Sequence, residues 1–487
     1  MENDTNSRGI KKNTIYNTIK AVSTCIYPLI TFPYISRVLM TENVGKVNFS
    51  ASIVSYCTLM AALGVTTYGV RECSRFKNDR ERLGQTASEI LSISLVSTAM
   101  AYAILFIALL TAKPLHDYRL LICIQSVTVL FSALGADWLN TAMEDFRYIT
   151  IRMVIMQVLS IVLLFAFVHK PEDYIKYAVI TVVASSGANV ANILYRRRFC
   201  KTKFVLNMNL KQHLPPIMML FSLLLSQTIY TNSDITILGL LKGDHQVGLY
   251  STAVKIYALV NSIISSIAWV VMPQLSENFS KSNYKEINRL LTYSLNFILV
   301  IGFPCICGLE IIAPQIIGWI AGEAYVDAAL SLRLLAIALQ CSFIGGWIGN
   351  MTLIPAGREN ICLRASIVCA ALNITLNLVL IPLWGLNAAA LTTVLAEITG
   401  LAITFPYMDK RIKIQNLREL LKAPVIGGAG ILMIGYLMQH CLTASWSIVL
   451  ATVFLSAVWY IIILVLAKNQ FFFEFITPVL NKLKRRA

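Results

Sequence analysis

Two lysines stand where a lysine is expensive. Lys20 and Lys255 both fall inside long apolar stretches, and a charge deep in a membrane-spanning helix costs about 2.5–3.5 kcal/mol on insertion scales. Each therefore needs a partner, a water-filled cavity or an anionic ligand. Around the first, Asn13, Tyr16, Lys20, Thr24, Tyr27, Thr31 and Tyr34 step by three or four residues, which at about 100° per residue keeps them on one helical face. A stripe of hydroxyls around an ammonium can line a wet cavity. The bland alternative is that the hydroxyls pack helices together while Lys20 snorkels to the surface; seven aligned polar residues favour a cavity. Pro28 and Pro33 break the same helix in its outer half, freeing carbonyls that must find partners in protein or water. In the stretch that carries Lys255, Ser251, Ser262 and Ser266 share its face, and just before it Gln227, Tyr230, Thr231 and Asp234 form another arc. Lys255 either pairs with Asp234 in a structural salt bridge or faces an anionic substrate.

The other charged residues in or near apolar stretches are Arg37, Lys46 and Arg333 at external ends, and Asp137 and Glu397 toward cytoplasmic ends. For each, an interfacial anchor or interhelical bond competes with a functional role. The turn Glu144-Asp145-Phe146-Arg147 reads as a cytoplasmic cap with local ion pairs. No metal is expected: the eleven cysteines contain no CxxC and the five histidines are isolated, with no HExxH. There is no GxxxxGK[ST] run for ATP, so no nucleotide cofactor is expected either. The net charge of +16 is spread between apolar runs rather than gathered with aromatics into a basic domain, which argues against nucleic acid as a partner.

The elements that must position these residues follow from composition. Of 487 residues 57% are hydrophobic and 14% charged, with a mean hydropathy of +0.67; a soluble domain is nearer one quarter charged. Apolar runs bounded by charge or turn residues give about fourteen spans, from 13–37 to 447–467. With the N-terminus in the cytoplasm, 31 of the 41 lysines and arginines fall on the cytoplasmic side and eight outside. That excess agrees with the positive-inside rule and puts both termini in the cytoplasm. The polar first dozen residues carry no small-residue cleavage site, so no removable signal peptide is expected. Loops are short, with no catalytic cluster on them; a membrane-embedded ligase or polymerase is disfavoured and the protein is not expected to be an enzyme. The basic tail, Lys482 to Arg486 after Phe471-Phe472-Phe473, suits anionic lipid.

The chain also repeats itself. Val44-Gly45, Phe49-Ser50 and Tyr56 match Val247-Gly248, Tyr250-Ser251 and Tyr257, and the words from Trp138 to Arg152 run parallel to those from Trp347 to Arg364. Six spans per copy is even, so the copies share an orientation, with a cavity between them and alternating access by rocking. The expected organisation is an N-terminal six-helix bundle (1–205), a second (206–410), and two additional helices with the basic tail (411–487).

The runs YPLITFPYISRVL (27–39), TENVGKVNFSASIV (41–54), LGVTTYGVRE (63–72), DWLNTAMEDFRYITIR (137–152), NSDITILG (232–239), VGLYSTAVKIY (247–257) and VMPQLSE (271–277) together resemble the Wzx-type polysaccharide repeat-unit flippases of the multidrug/oligosaccharidyl-lipid/polysaccharide exporter superfamily. The resemblance implies an all-α polytopic fold with two six-helix bundles in a V around a central, often cationic cavity. It implies an undecaprenyl-diphosphate-linked oligosaccharide as substrate, flipped across the inner (cytoplasmic) membrane for O antigen, capsule or exopolysaccharide, with a polysaccharide polymerase and a chain-length regulator as further partners. On that reading Lys20 and Lys255, helped by Arg37 and Lys46, meet the diphosphate, Tyr16, Tyr27 and Asn232 meet sugar, and Asp234, Asp137 and Glu397 are candidates for ion coupling. The alternatives are a multidrug or metabolite antiporter of the same fold, which should line its lumen with acids and aromatics, and a lipid II flippase.

Overall fold

The structure is a computed structural model that describes residues 2–469 and 471–474. The basic tail and the side chain of Asn13 lie outside what it describes. Among the described residues the regular structure is all helical, without strands, and thirteen helices are long and apolar enough to cross a membrane. The first of these runs 60 residues, Ile15–Ser74; a straight helix of that length would be about 90 Å, three times a bilayer core. It is broken at Met40 (φ 61°, ψ 173°), so it supplies two arms, and the thirteen helices make fourteen segments. This is an all-α polytopic membrane protein.

The chain divides into two compact units, Met1–Gly248 and Leu249–Ala487. The first contains α1 (Glu2–Ala62), α2 (Val65–Ser74), α3 (Arg80–Thr111), α4 (Arg119–Gly135), α5 (Asp137–Ala142), α6 (Phe146–Phe167), α7 (Tyr174–Tyr195) and α8 (Leu210–Lys242), and takes in the opening residues of α9 (Asp244–Ser280). α8 packs against the second arm of α1 through Tyr56, whose hydroxyl meets Thr236 Oγ1 at 3.2 Å. The same unit buries Ile35, Leu39, Val44, Leu164 and Val168 in one cluster and Leu83, Ile90, Trp138 and Leu139 in another. Helix starts follow their caps: Asp79 accepts from the Arg82 amide and Asp145 from the Tyr148 amide. The start of α8 is pinned by buried His213, held between the Tyr68 hydroxyl (2.7 Å) and the Glu89 carboxylate (2.8 Å).

One contact in this unit repeats the sequence pattern. Gly45 lies so close to the carbonyl of Asp244 that a β-carbon would stand 1.8 Å from its oxygen, and one at Gly248 would stand 2.0 Å from the oxygen of Thr41. Only glycine allows backbones to approach like this. Each glycine faces the residue four before the other, so the two Val-Gly words meet reciprocally.

The second unit contains the rest of α9, then α10 (Tyr284–Phe297), α11 (Phe303–Ile320), α12 (Ala329–Ile348), α13 (Glu359–Trp384), α14 (Leu386–Thr404), α15 (Leu417–Cys441) and α16 (Ser445–Leu466). A π turn, Ile298–Gly302, joins α10 to α11. α14 packs on α12 and α13, and fully buried Asn373, Asn377 and Thr392 satisfy one another across the α13–α14 seam, with Thr392 Oγ1 donating to Asn377 Oδ1 at 2.6 Å. The last two helices belong to this unit: α15 and α16 close on α11 around Val300, Cys307, Ile431 and Tyr460.

Candidate functional site

α1 and α6 run parallel and in step. Thr150 donates to the carbonyl of Tyr16 (3.1 Å), Ser160 donates to the Tyr27 hydroxyl (2.8 Å), and the Tyr34 hydroxyl donates to the carbonyl of Val168 (2.6 Å). The near-equal steps along both helices put Lys20, which lies between Tyr16 and Tyr27, level with Val154, about half a turn beyond Arg152. The stripe of α1 thus divides: Tyr27 and Tyr34 stitch α1 to α6, Thr24 and Thr31 bond carbonyls of their own helix, and Lys20 and Tyr27 face a cleft of about 420 Å³ lined also by Asp137, Arg152, Gln157 and Asn189, among others.

Asp137 reaches this cleft because the helix before it breaks. Ala136 adopts a left-handed conformation (φ 49°, ψ 49°), which ends α4 and starts α5 where the hydropathy pattern alone predicts a continuous span over 119–143. A broken helix strands its last carbonyls. Arg196 takes that of Leu134 (2.6 Å) and Asn192 takes that of Gly135 (2.6 Å). α7 comes close enough to do so because position 135 is glycine: a β-carbon there would lie 2.8 Å from that of Asn189. Asn140 then links Asn192 (2.6 Å) to Asp137 (3.1 Å), and Asp137 Oδ1 accepts from Arg152 Nη2 at 2.5 Å.

Arg152 is a site candidate that sequence reasoning missed. Its side chain is 8% exposed against 41% for Asp137, its guanidinium lies 5.1 Å from the Tyr148 ring centroid, and its Nε and Nη1 are buried without a hydrogen-bond partner among the described residues. A buried guanidinium with two idle nitrogens is costly. The signal in the sequence is its place just inside an apolar run, one arginine after Tyr148, Ile149, Thr150 and Ile151; counted as a loop charge, it looks interfacial.

Of the other expected site residues, Tyr16 is half-buried, and its carbonyl is the acceptor for Thr150. Arg37 is exposed. Lys46 pairs with Glu42 at 3.1 Å, its own side chain partly exposed and that of Glu42 well exposed, and sits 5.9 Å from the Tyr174 ring centroid. Asn232 spends its amide on its own helix, donating to the Thr228 carbonyl and Thr231 Oγ1, each at 3.1 Å. Asp234 is buried on α8. Lys255 and Glu397 are half-buried in the second unit, on α9 and α14. The structure therefore gathers Lys20, Tyr27 and Asp137 into one cleft and adds Arg152 to them. Among the described residues no group of three or more histidine, cysteine or acidic side chains could hold a metal, and the cysteines are free thiols.

A many-helix membrane protein with a polar, cation-bearing cleft among its spans is a membrane transporter in architecture, and known structures carry the same fold. The chain superposes on the lipid II flippase MurJ in its inward closed conformation with a TM-score of 0.71, covering 96% of this chain and all of that one at 17% identity. At the level of sequence it belongs to the polysaccharide biosynthesis protein family, whose profile matches residues 10–279, and within it to the Wzx-type flippases. It is 22% identical to a protein of Shigella dysenteriae described as "Putative O-antigen transporter", over 80% of this chain and 97% of that one. It is 22% identical to the capsular polysaccharide biosynthesis protein CapF of Staphylococcus aureus, over 82% and 99%. Its general function is that of the family, a polysaccharide flippase.

Proposed function

We propose that this protein carries an undecaprenyl-diphosphate-linked oligosaccharide repeat unit from the cytoplasmic to the outer leaflet of the inner membrane, with both termini in the cytoplasm and without catalysing a covalent step. The observation that carries this reading is the cleft of α1: tyrosine, glutamine and asparagine side chains beside Lys20 and Arg152. A sugar chain bearing a diphosphate is too polar to cross hydrocarbon unaided. Hydroxyls and amides offer its sugars hydrogen bonds, and lysine or arginine offers its phosphates charge-assisted ones. Lys20 and Lys255 are the cations assigned to the diphosphate, with Arg37 and Lys46 as helpers and Tyr16, Tyr27 and Asn232 toward sugar. Asp234, Asp137 and Glu397 are the carboxylates assigned to ion coupling. The reciprocal glycine contact supports the duplication, and with it two six-helix copies, 1–205 and 206–410, followed by an addition, 411–487. A polysaccharide polymerase and a chain-length regulator are the partners that such cargo requires on the far side. An antiporter of drugs or other cations fits less well, since the charges that line the cleft are two cations to one carboxylate.

The test is complementation of a deletion strain, reading surface polysaccharide against the amount of protein in the membrane. Lys20→Ala and Lys255→Ala each reduce export, and arginine at either position restores more of it than glutamine. Normal polysaccharide from the double alanine variant would refute the assignment of the diphosphate.

A further inference from the structure

Arg152 carries an inference beyond the assignment of the two lysines. A carboxylate that fully satisfies an arginine does so with two parallel bonds across the guanidinium fork. Asp137 engages Nη2 alone and shares the same oxygen with Asn140, leaving Nε and Nη1 buried and idle. Idle donors of this kind, on a side chain that lines a cleft of about 420 Å³ together with Lys20, are what a doubly charged, multi-oxygen anion would use, and the planar fork of arginine suits phosphate where a lysine offers only a point charge. The Tyr148 ring lies 5.1 Å from the guanidinium, and apart from Lys20 and Asp137 the other residues lining the cleft, Gln157, Thr181, Ser185 and Asn189 among them, carry no charge.

We propose that Arg152 and Lys20 together bind the diphosphate of the cargo within the first unit, and that Asp137 occupies part of the Arg152 fork until the diphosphate displaces it. This rests on the cargo proposed above. It gives Asp137 a role that needs no coupling ion: a carboxylate that neutralises Arg152 in the empty protein and competes with the ligand for it.

Such competition has a signature that a structural ion pair lacks, because the two partners affect binding with opposite signs. The experiment uses the full-length protein in phosphatidylethanolamine nanodiscs, with undecaprenyl diphosphate and undecaprenyl monophosphate as probes. The wild type prefers the diphosphate. Arg152→Gln weakens diphosphate binding by about tenfold, equivalent to about 1.4 kcal/mol; Arg152→Lys weakens it less; Asp137→Asn, which keeps an amide for Asn140 and removes the competing charge, strengthens it. Inorganic pyrophosphate competes with the probe, and phosphatidylglycerol vesicles do not. Arg152→Gln binding as the wild type does, or Asp137→Asn losing affinity along with Arg152→Gln, would overturn the inference and leave the cargo standing. Competition by phosphatidylglycerol as effective as that by pyrophosphate would make the cleft a general lipid headgroup site and overturn it too. A wild type with no preference for diphosphate over monophosphate would overturn the cargo itself. Should Arg152→Gln fail to fold, Arg152→Lys and Asp137→Asn still carry opposite expected signs and decide the matter.

Discussion

The reciprocal contact of the two Val-Gly words yields a prediction whose size can be worked out. In Gly45→Ala the new methyl would stand 1.8 Å from the Asp244 oxygen, and in Gly248→Ala 2.0 Å from the Thr41 oxygen. A carbon settles at about 3.3 Å from a carbonyl oxygen, so the backbones must part by about 1.5 Å. Neither obstacle is the end of a flexible side chain, so the strain falls in the upper part of the about 1–3 kcal/mol typical of overpacking. Alanine returns about 0.5–1 kcal/mol over glycine inside a helix, leaving a net loss of about 1–2 kcal/mol for either variant. The two losses should not add, because residues at one contact couple: once the first methyl has pushed the backbones apart, the second finds room, and the double variant should lie close to the worse single one. Gly308 is the control. It sits in α11, where a β-carbon would meet nothing within 4 Å, so Gly308→Ala should be neutral or gain about 0.4–1 kcal/mol. Reversible unfolding in mixed micelles measures all four. A Gly45→Ala variant as stable as the Gly308→Ala control, or fully additive losses in the double variant, would refute the reasoning.

The remaining expectations concern charges at the surface. Lys46 is held by Glu42 in a solvent-accessible pair, worth at most about 1 kcal/mol, so Lys46→Gln should lower polysaccharide export far less than Lys20→Gln in the same complementation assay; equal losses would place Lys46 alongside Lys20 at the cargo. In the loop between α14 and α15, Arg411 bonds both oxygens of Asp409, Tyr284 donates to the same carboxylate (3.1 Å), and the Arg411 guanidinium lies 4.2 Å from the Tyr284 ring centroid. These bonds, that of Arg411 foremost, hold the Asp409 carboxyl well below the usual carboxylate range. A carboxylate whose pKa is lower folded than unfolded stabilises the fold above its unfolded pKa and loses that contribution as pH falls. Asp409→Asn should therefore lower the melting temperature at pH 7, and the gap from wild type should narrow below about pH 4; a gap that widens with acid would contradict it.

Composition and hydropathy read the helices because a bilayer allows a spanning chain few alternatives, and the positions of apolar runs sufficed to count fourteen segments. They did not show where a helix breaks. The left-handed residue at Ala136 is set by what catches the freed carbonyls, Arg196 and Asn192, and those partners lie some sixty residues away in sequence. The hydroxyl stripe of α1 was legible from its spacing. Which members stitch helices, which bond their own helix and which face a cleft was not, since that depends on the register against α6. Arg152 was hidden for the same reason: the sequence places it at the start of a span, and only the turn at Ala136 brings Asp137 back beside it.

Under the duplication, the words that hold Asp137 and Arg152 have counterparts, and the comparison separates scaffold from chemistry. Trp138 matches Trp347 and Arg152 matches Arg364, and both tryptophans are buried. The charges diverge. Gly346 precedes Trp347 where Asp137 precedes Trp138, and Arg364 is exposed where Arg152 is buried. The first copy thus keeps a buried cation with an incomplete counterion, and the second keeps the arginine without the burial or the carboxylate. An exposed arginine of this kind contributes within about 0.5 kcal/mol to stability and has no idle buried donors to offer a phosphate. Arg364→Gln should therefore leave surface polysaccharide near the wild-type level in cells where Arg152→Gln loses most of it at equal protein abundance. If the two substitutions impaired export alike, equivalence between the copies, and not the buried, half-satisfied guanidinium, would be what the cargo reads.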